Sequence, residues 1–421
     1  MVLVERDAKR LAKGLAFGTL RPEHLLNVRA SNMSAFPDDR DHFLRWMGFS
    51  SQDQANRFVP RLAYGHYLHE QLMAALAKNQ GRAEVCNGMA VGAQFGAEGV
   101  SLRLANGGVV PCRSIVMALG NFPPRQIPVL AALPSGIYFN DPWDPRATSN
   151  IADVQHVLLI GTGLTAIDIA LSLHGDGFRG QITALSRRGL RPRSHVEVGP
   201  VVGPVDRPQA KGSHLVRQIR VRAEKIGWRA AIDELRPHVQ QLWRTHDPTA
   251  QARLLRHARA YWDVHRHRLA PAVDSRVSAL EEQGRLRFVA GRILAAEFAE
   301  NGAHVTWQRR AGGAVPEVLS ADRVINCTGP EGSLTQAADP LIGDLLAGGR
   351  ARPDPHRLGL DVDHLGRVKD ARGQPQDRLF AVGPLTKGEA WEIVAVPDIR
   401  RQVWDVARYL ADAHWVGGEG L

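Results

Sequence analysis

His156-Val157-Leu158-Leu159-Ile160-Gly161-Thr162-Gly163-Leu164-Thr165-Ala166 lies near the middle of a 421-residue chain. The first five residues form a short apolar run of buried-strand type. Gly161 permits a tight turn. Gly163 lets backbone N–H groups approach a pyrophosphate at a helix N-terminus, and Ala166 is small enough for close helix–strand packing. An apolar helical stretch, Ile167–Leu173, follows, and a second strand, Gln181–Leu185, ends at Ser186-Arg187-Arg188. Strand, glycine turn, helix and strand make one βαβ unit. Its turn is a candidate dinucleotide site through Gly161, Thr162, Gly163, Leu164 and Ala166. The alternative is a glycine turn that holds no ligand.

The end of the second strand bears on which nucleotide binds. NAD-preferring sites carry Asp or Glu there, for the ribose hydroxyls. Ser186, Arg187 and Arg188 instead suit a 2′-phosphate through charge-assisted hydrogen bonds. The pattern therefore predicts NADPH.

A second, incomplete copy opens the chain. Val2-Leu3-Val4-Glu5-Arg6 reads as the second strand of a dinucleotide unit, with Glu5 placed for an adenosine ribose. By the motif spacing, the first glycine of that unit falls about 20 residues before Met1. A first strand and phosphate loop are thus expected upstream, from a start site set roughly 25 residues too late.

Strands return late in the sequence. Ser114–Leu119 closes with Gly120, Asp322–Cys327 closes with Thr328-Gly329, and Arg378–Val382 runs into Gly383-Pro384. A helical pattern follows from about Pro397 to Ala413. Residues 205–283 also read as helical, with Leu215, Ile219, Ile226, Ile232, Leu235, Val239 and Leu242 at helical spacing and Pro237 as a break. The expected architecture is α/β: two Rossmann-like dinucleotide-binding domains, the second inserted in the first. The parts are 1–148 (FAD domain, first part), 149–320 (NADPH domain with the helical insertion) and 321–421 (FAD domain, second part).

Composition excludes several classes. Net charge is +10, from 53 Lys+Arg against 43 Asp+Glu. The arginines are scattered rather than gathered in one aromatic-interleaved tract, so a solvated basic surface and anionic small molecules are expected, not nucleic acid. Cys86, Cys112 and Cys327 are far apart and form no CxxC, which argues against a disulfide framework or zinc knuckle. No apolar run reaches bilayer length and no signal peptide is visible, so a cytoplasmic protein is expected. The sequence carries no signal for oligomeric state.

These stretches together resemble the two-dinucleotide-binding-domain flavoproteins. More closely, they resemble the bacterial FAD–NAD(P)-binding family related to flavin monooxygenases. The match rests on Gly14–Thr19 with His24–Val28, Met33–Asp39, Phe43–Trp46, Ala118–Asn121, the Gly161 unit, Tyr261–Arg268, Cys327–Gly329, and Phe380–Pro384 running to Trp391-Glu392. The resemblance implies FAD contacts at Glu5, Asn27, Met33, Ser34, Gly120, Thr328, Gly329 and Gly383. One departure is Gly383-Pro384, where the family carries Gly-Asp; no carboxylate is placed for the ribityl chain.

Within the insertion, His257, His265, Arg266, His267 and Arg268 raise the question of metal. Only Asp263 is at hand to complete a ligand set, and His265 and His267 point to different helix faces, so no metal is expected. The resemblance implies an anion or substrate role for His265 or Arg268, against a purely structural cluster. No Ser/His/Asp or paired-carboxylate constellation is visible, as expected where a flavin supplies the chemistry. The implied activity is that of an FAD-dependent, NADPH-using oxidoreductase, monooxygenase-like on a small organic substrate. The competing possibility is a non-catalytic NADP(H)-binding module with a defective FAD site.

Overall fold

In the computed structural model, His156–Ile160 is a strand whose Val157, Leu158 and Leu159 are fully buried. It pairs in parallel with Gln181–Ser186 on one side and with Arg323–Asn326 on the other. Pairing on both sides and burial on both faces explain why it reads as a continuous apolar run rather than an alternating one. The residues described are 1–197, 205–300, 302–310, 315–336 and 338–413.

The sheet around this strand has seven members among the described residues. Their spatial order is Glu317–Ala321, Gly302–Arg309, Leu286–Ala299, Gln181–Ser186, His156–Ile160, Arg323–Asn326 and Tyr138–Phe139. The last five are parallel to their neighbours, and the first two extend the sheet as antiparallel strands. The chain steps outward from His156–Ile160 through four strands in one direction, two parallel and then two antiparallel, and returns to its other side at Arg323. The order therefore reverses at the carboxyl end of His156–Ile160, where open α/β sheets hold their ligands.

The helix Leu164–Gly175 is buried from Ala166 to Leu173. Ala166, Ile169 and Ala170 share a core with Leu269, Val273, Val277 and Leu280. The N-terminal segment docks on the same helix. Arg61 pairs with Asp168 at 2.9 Å, and His24 Nε2 lies 2.9 Å from Ser172 Oγ.

The other strands among the described residues form three small sheets. Val2–Glu5 runs parallel to Glu84–Asn87. Ala90–Phe95, Val100–Leu104 and Val109–Cys112 form an antiparallel meander, which lies outside the expected strands. Ile115–Met117 pairs in parallel with Leu379–Ala381, and Arg367–Lys369 lies antiparallel on the far side of Pro375–Ala381. That pairing spans the whole middle unit, so the second unit is inserted in the first, as expected.

One expectation needs correction. The middle sheet runs by hydrogen bonding from Tyr138 to Asn326, so it is wider than the expected 149–320. Arg323–Asn326 falls in the expected last segment, but its ladder partners are His156–Ile160 and Tyr138–Phe139. The helix expected from about Pro397 is present as Val396–Leu410. A 3-10 turn, Gly383–Thr386, precedes it.

The insertion is helical as expected: Gly212–Ile226, Trp228–Leu235, Val239–Arg244, Pro248–His257, Arg259–Arg266 and Pro271–Glu282. Pro237 sits in a 3-10 segment, Arg236–His238, that separates two of these helices.

Gly161 has φ +121°, and a Cβ there would lie 2.3 Å from the Cys327 carbonyl oxygen. The obstacle is backbone and cannot swing aside. Gly161→Ala is therefore expected to destabilise the fold by about 3 kcal/mol or more, read as a lowered midpoint of urea unfolding.

Candidate functional site

The turn after His156–Ile160 is built from backbone. Gly161 N–H donates to Leu185 O at 2.7 Å, and Cys327 N–H donates to Ile160 O at 2.8 Å. Gly163 is the N-cap of the helix Leu164–Gly175 and supplies no side-chain cap. A Cβ at Gly163 would meet nothing within 4 Å. The first-turn amides and the positive end of a 12-residue helix thus face the turn without a protein oxygen from the cap.

The hydroxyls of Thr162 and Ser186 are turned inward. Thr162 Oγ1 donates to Leu190 O at 2.5 Å and lies 3.0 Å from Ser186 Oγ, which accepts from Gly189 N–H at 3.0 Å. These bonds tie the first turn to the end of the second strand. The Ser186 hydroxyl expected near a 2′-phosphate is thus engaged with Thr162 and Gly189. Arg188 is also committed: it reaches the His257 and Arg256 carbonyls, both at 3.3 Å, and lies over the Tyr261 ring. Arg187 is exposed, and exposed Arg310 donates to its carbonyl at 3.3 Å. Arg310 escapes a reading of the sequence because it arrives from a hairpin far along the chain.

Thr328 and Gly329 sit beside this turn, at the edge of the seven-stranded sheet, rather than in the sheet of Ile115–Met117. Asn326 Oδ1, fully buried, accepts from both the Thr328 N–H and hydroxyl. Gly329 has φ +89°.

On the other unit, Glu5 ends its strand, and its carboxylate accepts from Asp7 N–H at 3.0 Å. Gly120 and Gly383 both have φ +69°, and each follows one of two adjacent parallel strands. Gly383 N–H donates to Gln402 Oε1 at 2.7 Å. Met33 and Ser34 are buried, and Ser34 Oγ is spent on Phe36 and Asp39 carbonyls. Their side chains are therefore turned into the protein, which leaves the backbone of this segment for any contact with a ligand. The Ser34 carbonyl instead accepts from Arg400 at 2.8 Å.

Asn27 lies where the two units meet, its carbonyl 3.2 Å from His195 Nε2. Burial, aided by the Arg268 charge, lowers His195 to about 4, so it is neutral at pH 7. Arg29 closes the same seam through the carbonyls of Asn56, Val196 and Glu197.

His265 and Arg268 do not form a substrate-facing pair. His265 Nδ1 turns back to the Tyr261 carbonyl of its own helix at 2.7 Å. Arg268 is 2 % exposed and bonds Asp233 with both Nη atoms, plus the His265 and Arg229 carbonyls. The polar residues beside them do converge elsewhere, on Glu392.

Glu392 is buried and has φ +72°, with Val394 N–H donating to its own carbonyl at 2.7 Å. A non-glycine residue in such a turn is strained. Its Oε1 accepts from Trp262 Nε1 at 3.0 Å. Its Oε2 makes no hydrogen bond and faces Arg266 Nε at 3.4 Å and His267 Nε2 at 3.7 Å. Burial works to raise this carboxyl, but His267, Arg266 and Trp262 outweigh it and hold it at about 2. Asp263, His267 and Glu392 bring ligand-capable atoms within 4.8 Å of one another. Arg266 at 3.4 Å, with the charges of Arg259 and Lys387, already answers these carboxylates, which disfavours a divalent ion. Pattern and spacing carry no signal for Glu392 as the partner, because the contact joins the insertion to the C-terminal segment.

Two nested α/β units, with a glycine turn at the strand-order reversal of the middle sheet, define a two-Rossmann-unit α/β fold. Comparisons agree. Residues 1–122 match a family described as FAD-NAD(P)-binding. An uncharacterized protein of Mycobacterium tuberculosis is 24% identical over 393 residues, covering 82% of this chain and 71% of that protein. Among solved structures, ornithine hydroxylase from Pseudomonas aeruginosa aligns over 98% of both chains with TM-score 0.61 and 15% identity. L-lysine 6-monooxygenase from Pseudomonas syringae aligns over 98% of this chain and 91% of its own, at TM-score 0.64 and 15% identity. The FAD-bound cadaverine monooxygenase of Erwinia amylovora aligns over 100% and 92%, at TM-score 0.66 and 9% identity.

Glu392→Gln keeps the shape and removes the charge. Arg266 would then be buried without its counter-charge, an expected loss of about 3 kcal/mol at pH 7. An acid held below its unfolded value stabilises above about pH 4.3, and that contribution fades as pH falls toward 2. The difference in unfolding free energy between wild type and variant should therefore shrink across that window. A difference that stays constant with pH contradicts the charge assignment.

Proposed function

We propose that the protein is an FAD-dependent, NADPH-using oxidoreductase of the monooxygenase type, acting on a small organic substrate. The carrying observation is the Gly161 turn. It lies at the strand-order reversal, with an uncapped helix N-terminus behind it and Arg187 and Arg310 at the neighbouring strand end. Pyrophosphate suits the first-turn amides, and a 2′-phosphate suits the two exposed guanidiniums. The inward Thr162 and Ser186 hydroxyls hold the loop in shape for that contact.

The other unit fits FAD. Glu5 ends a parallel strand, as the ribose contact requires. Gly120 and Gly383 turn away from neighbouring strand ends, and a Cβ on either would meet nothing within 4 Å. A bound flavin would accept hydride from the nicotinamide and pass electrons to oxygen or another acceptor. The chain's part is to orient the two cofactors across the seam formed by Arg29, Asn27 and neutral His195. Three solved proteins of this shape are an ornithine hydroxylase, an L-lysine 6-monooxygenase and a cadaverine monooxygenase, which supports an amine as the substrate class.

Gly383-Pro384, with no carboxylate at the second position, favours one competing reading: a module that binds NADP(H) without functional flavin. A protein that turns yellow with FAD and bleaches with NADPH supports the enzyme. A colourless protein whose melting temperature still rises with NADPH supports the module. For the nucleotide, Arg187→Ala should weaken NADPH about tenfold, or 1.4 kcal/mol, and leave NADH unchanged. Equal losses for both overturn the 2′-phosphate assignment.

A further inference from the structure

A cavity of about 220 Å³ separates two segments that are distant in sequence. One wall is the loop carrying Pro37 and Arg40. The other is the start of the helix Val396–Leu410, at Pro397, Arg400, Arg401 and Trp404. Among the described residues, three guanidinium side chains line this space and no carboxylate does.

The arginines are poorly answered by the protein. Arg400 spends one donor on the Ser34 carbonyl. Among the described residues, Arg40 and Arg401 make no ion pair within 4.0 Å. Of the nearby acids, Asp39 pairs with Arg45, while Asp398 faces Arg236 at 3.6 Å and reaches Arg400 only through space. Asp405, one turn along from Arg401, does not line the cavity. The helix begins at Ala395 with no side-chain cap, so its positive end adds to the same field. Burial and the like charges of Arg40 and Arg236 disfavour the charged form of Arg400, and Tyr64 and Asp398 offset them only in part.

Gathered positive charge around a cavity is costly unless an anion relieves it. The space is smaller than the roughly 300–1,000 Å³ of cofactor-sized pockets, so it does not admit a dinucleotide. We infer that this cavity is an oxyanion site, which takes the carboxylate or phosphate group of a small molecule through Arg40, Arg400 and Arg401. The Trp404 indole offers an apolar wall for the rest of the ligand. The inference does not depend on the flavin assignment, because none of these residues is assigned to either cofactor.

The test is thermal melting of the full chain in inorganic phosphate and, separately, in citrate, each against sodium chloride at equal ionic strength. A saturable rise in melting temperature is expected with at least one of the two. A response to phosphate alone assigns a phosphate ligand, and a response to citrate alone assigns a carboxylate. Arg40→Ala and Arg401→Ala, both at exposed positions, should weaken the effective anion at least tenfold while leaving the melting temperature in chloride unchanged. Chloride matching both anions, or variants that respond as wild type does, would overturn the site. So would displacement of bound FAD by the anion, seen as a loss of flavin absorbance. Failure of the flavin reading shows separately, as a protein without flavin absorbance that still responds to the anion.

Discussion

The close passage of Gly161 over the Cys327 carbonyl is the constraint on which the middle unit depends. It lets the turn after His156–Ile160 lie against the end of Arg323–Asn326, which keeps those two strands adjacent. That adjacency is what reverses the strand order and leaves a cleft at the carboxyl edge of the sheet. The helix Leu164–Gly175 then starts at the cleft with its first turn uncapped. Backbone geometry, rather than any reactive side chain, thus creates the anion-attracting feature.

The two units are held together by polar contacts across buried seams. Arg61 with Asp168, His24 with Ser172, and Arg29 with the Val196 and Glu197 carbonyls fix the N-terminal segment on the middle unit. The insertion is fixed in turn on the C-terminal segment. Trp243 stacks on Trp391 at 4.8 Å and donates to the Gly388 carbonyl, while Trp262 and Arg266 hold Glu392. Buried charges of this kind tolerate few alternative arrangements, because each would leave a charge unpaired. A strained Glu392 turn at this seam is consistent with a fixed relation between insertion and C-terminal helix.

How much is legible in the sequence depends on the range of the interaction. His156–Ile160 can be read to the residue because burial on both faces leaves an uninterrupted apolar run. The helical insertion and its break at Pro237 are equally local. The sheet that takes Arg323–Asn326 is not legible, since an apolar strand ending in glycine looks the same in either sheet and only its partners differ. Ser186 shows a second limit: its type suits a phosphate, but Thr162 and Gly189 use its hydroxyl. Glu392 shows a third. The stretch around His265 stands out, yet the carboxylate that gathers Arg266 and His267 comes from a segment with no pattern linking it to them.

Binding of the NADPH pyrophosphate by the backbone amides of the Gly161 turn is the central claim. Hydrogen exchange of the full chain with and without NADPH tests it most directly. Slowed exchange is predicted at the amides from Thr162 to Thr165, with little change at Val2–Glu5 and at the Gly161 amide, which already bonds the Leu185 carbonyl. Unchanged exchange across that turn at saturating NADPH, or protection confined to Val2–Glu5, would contradict it.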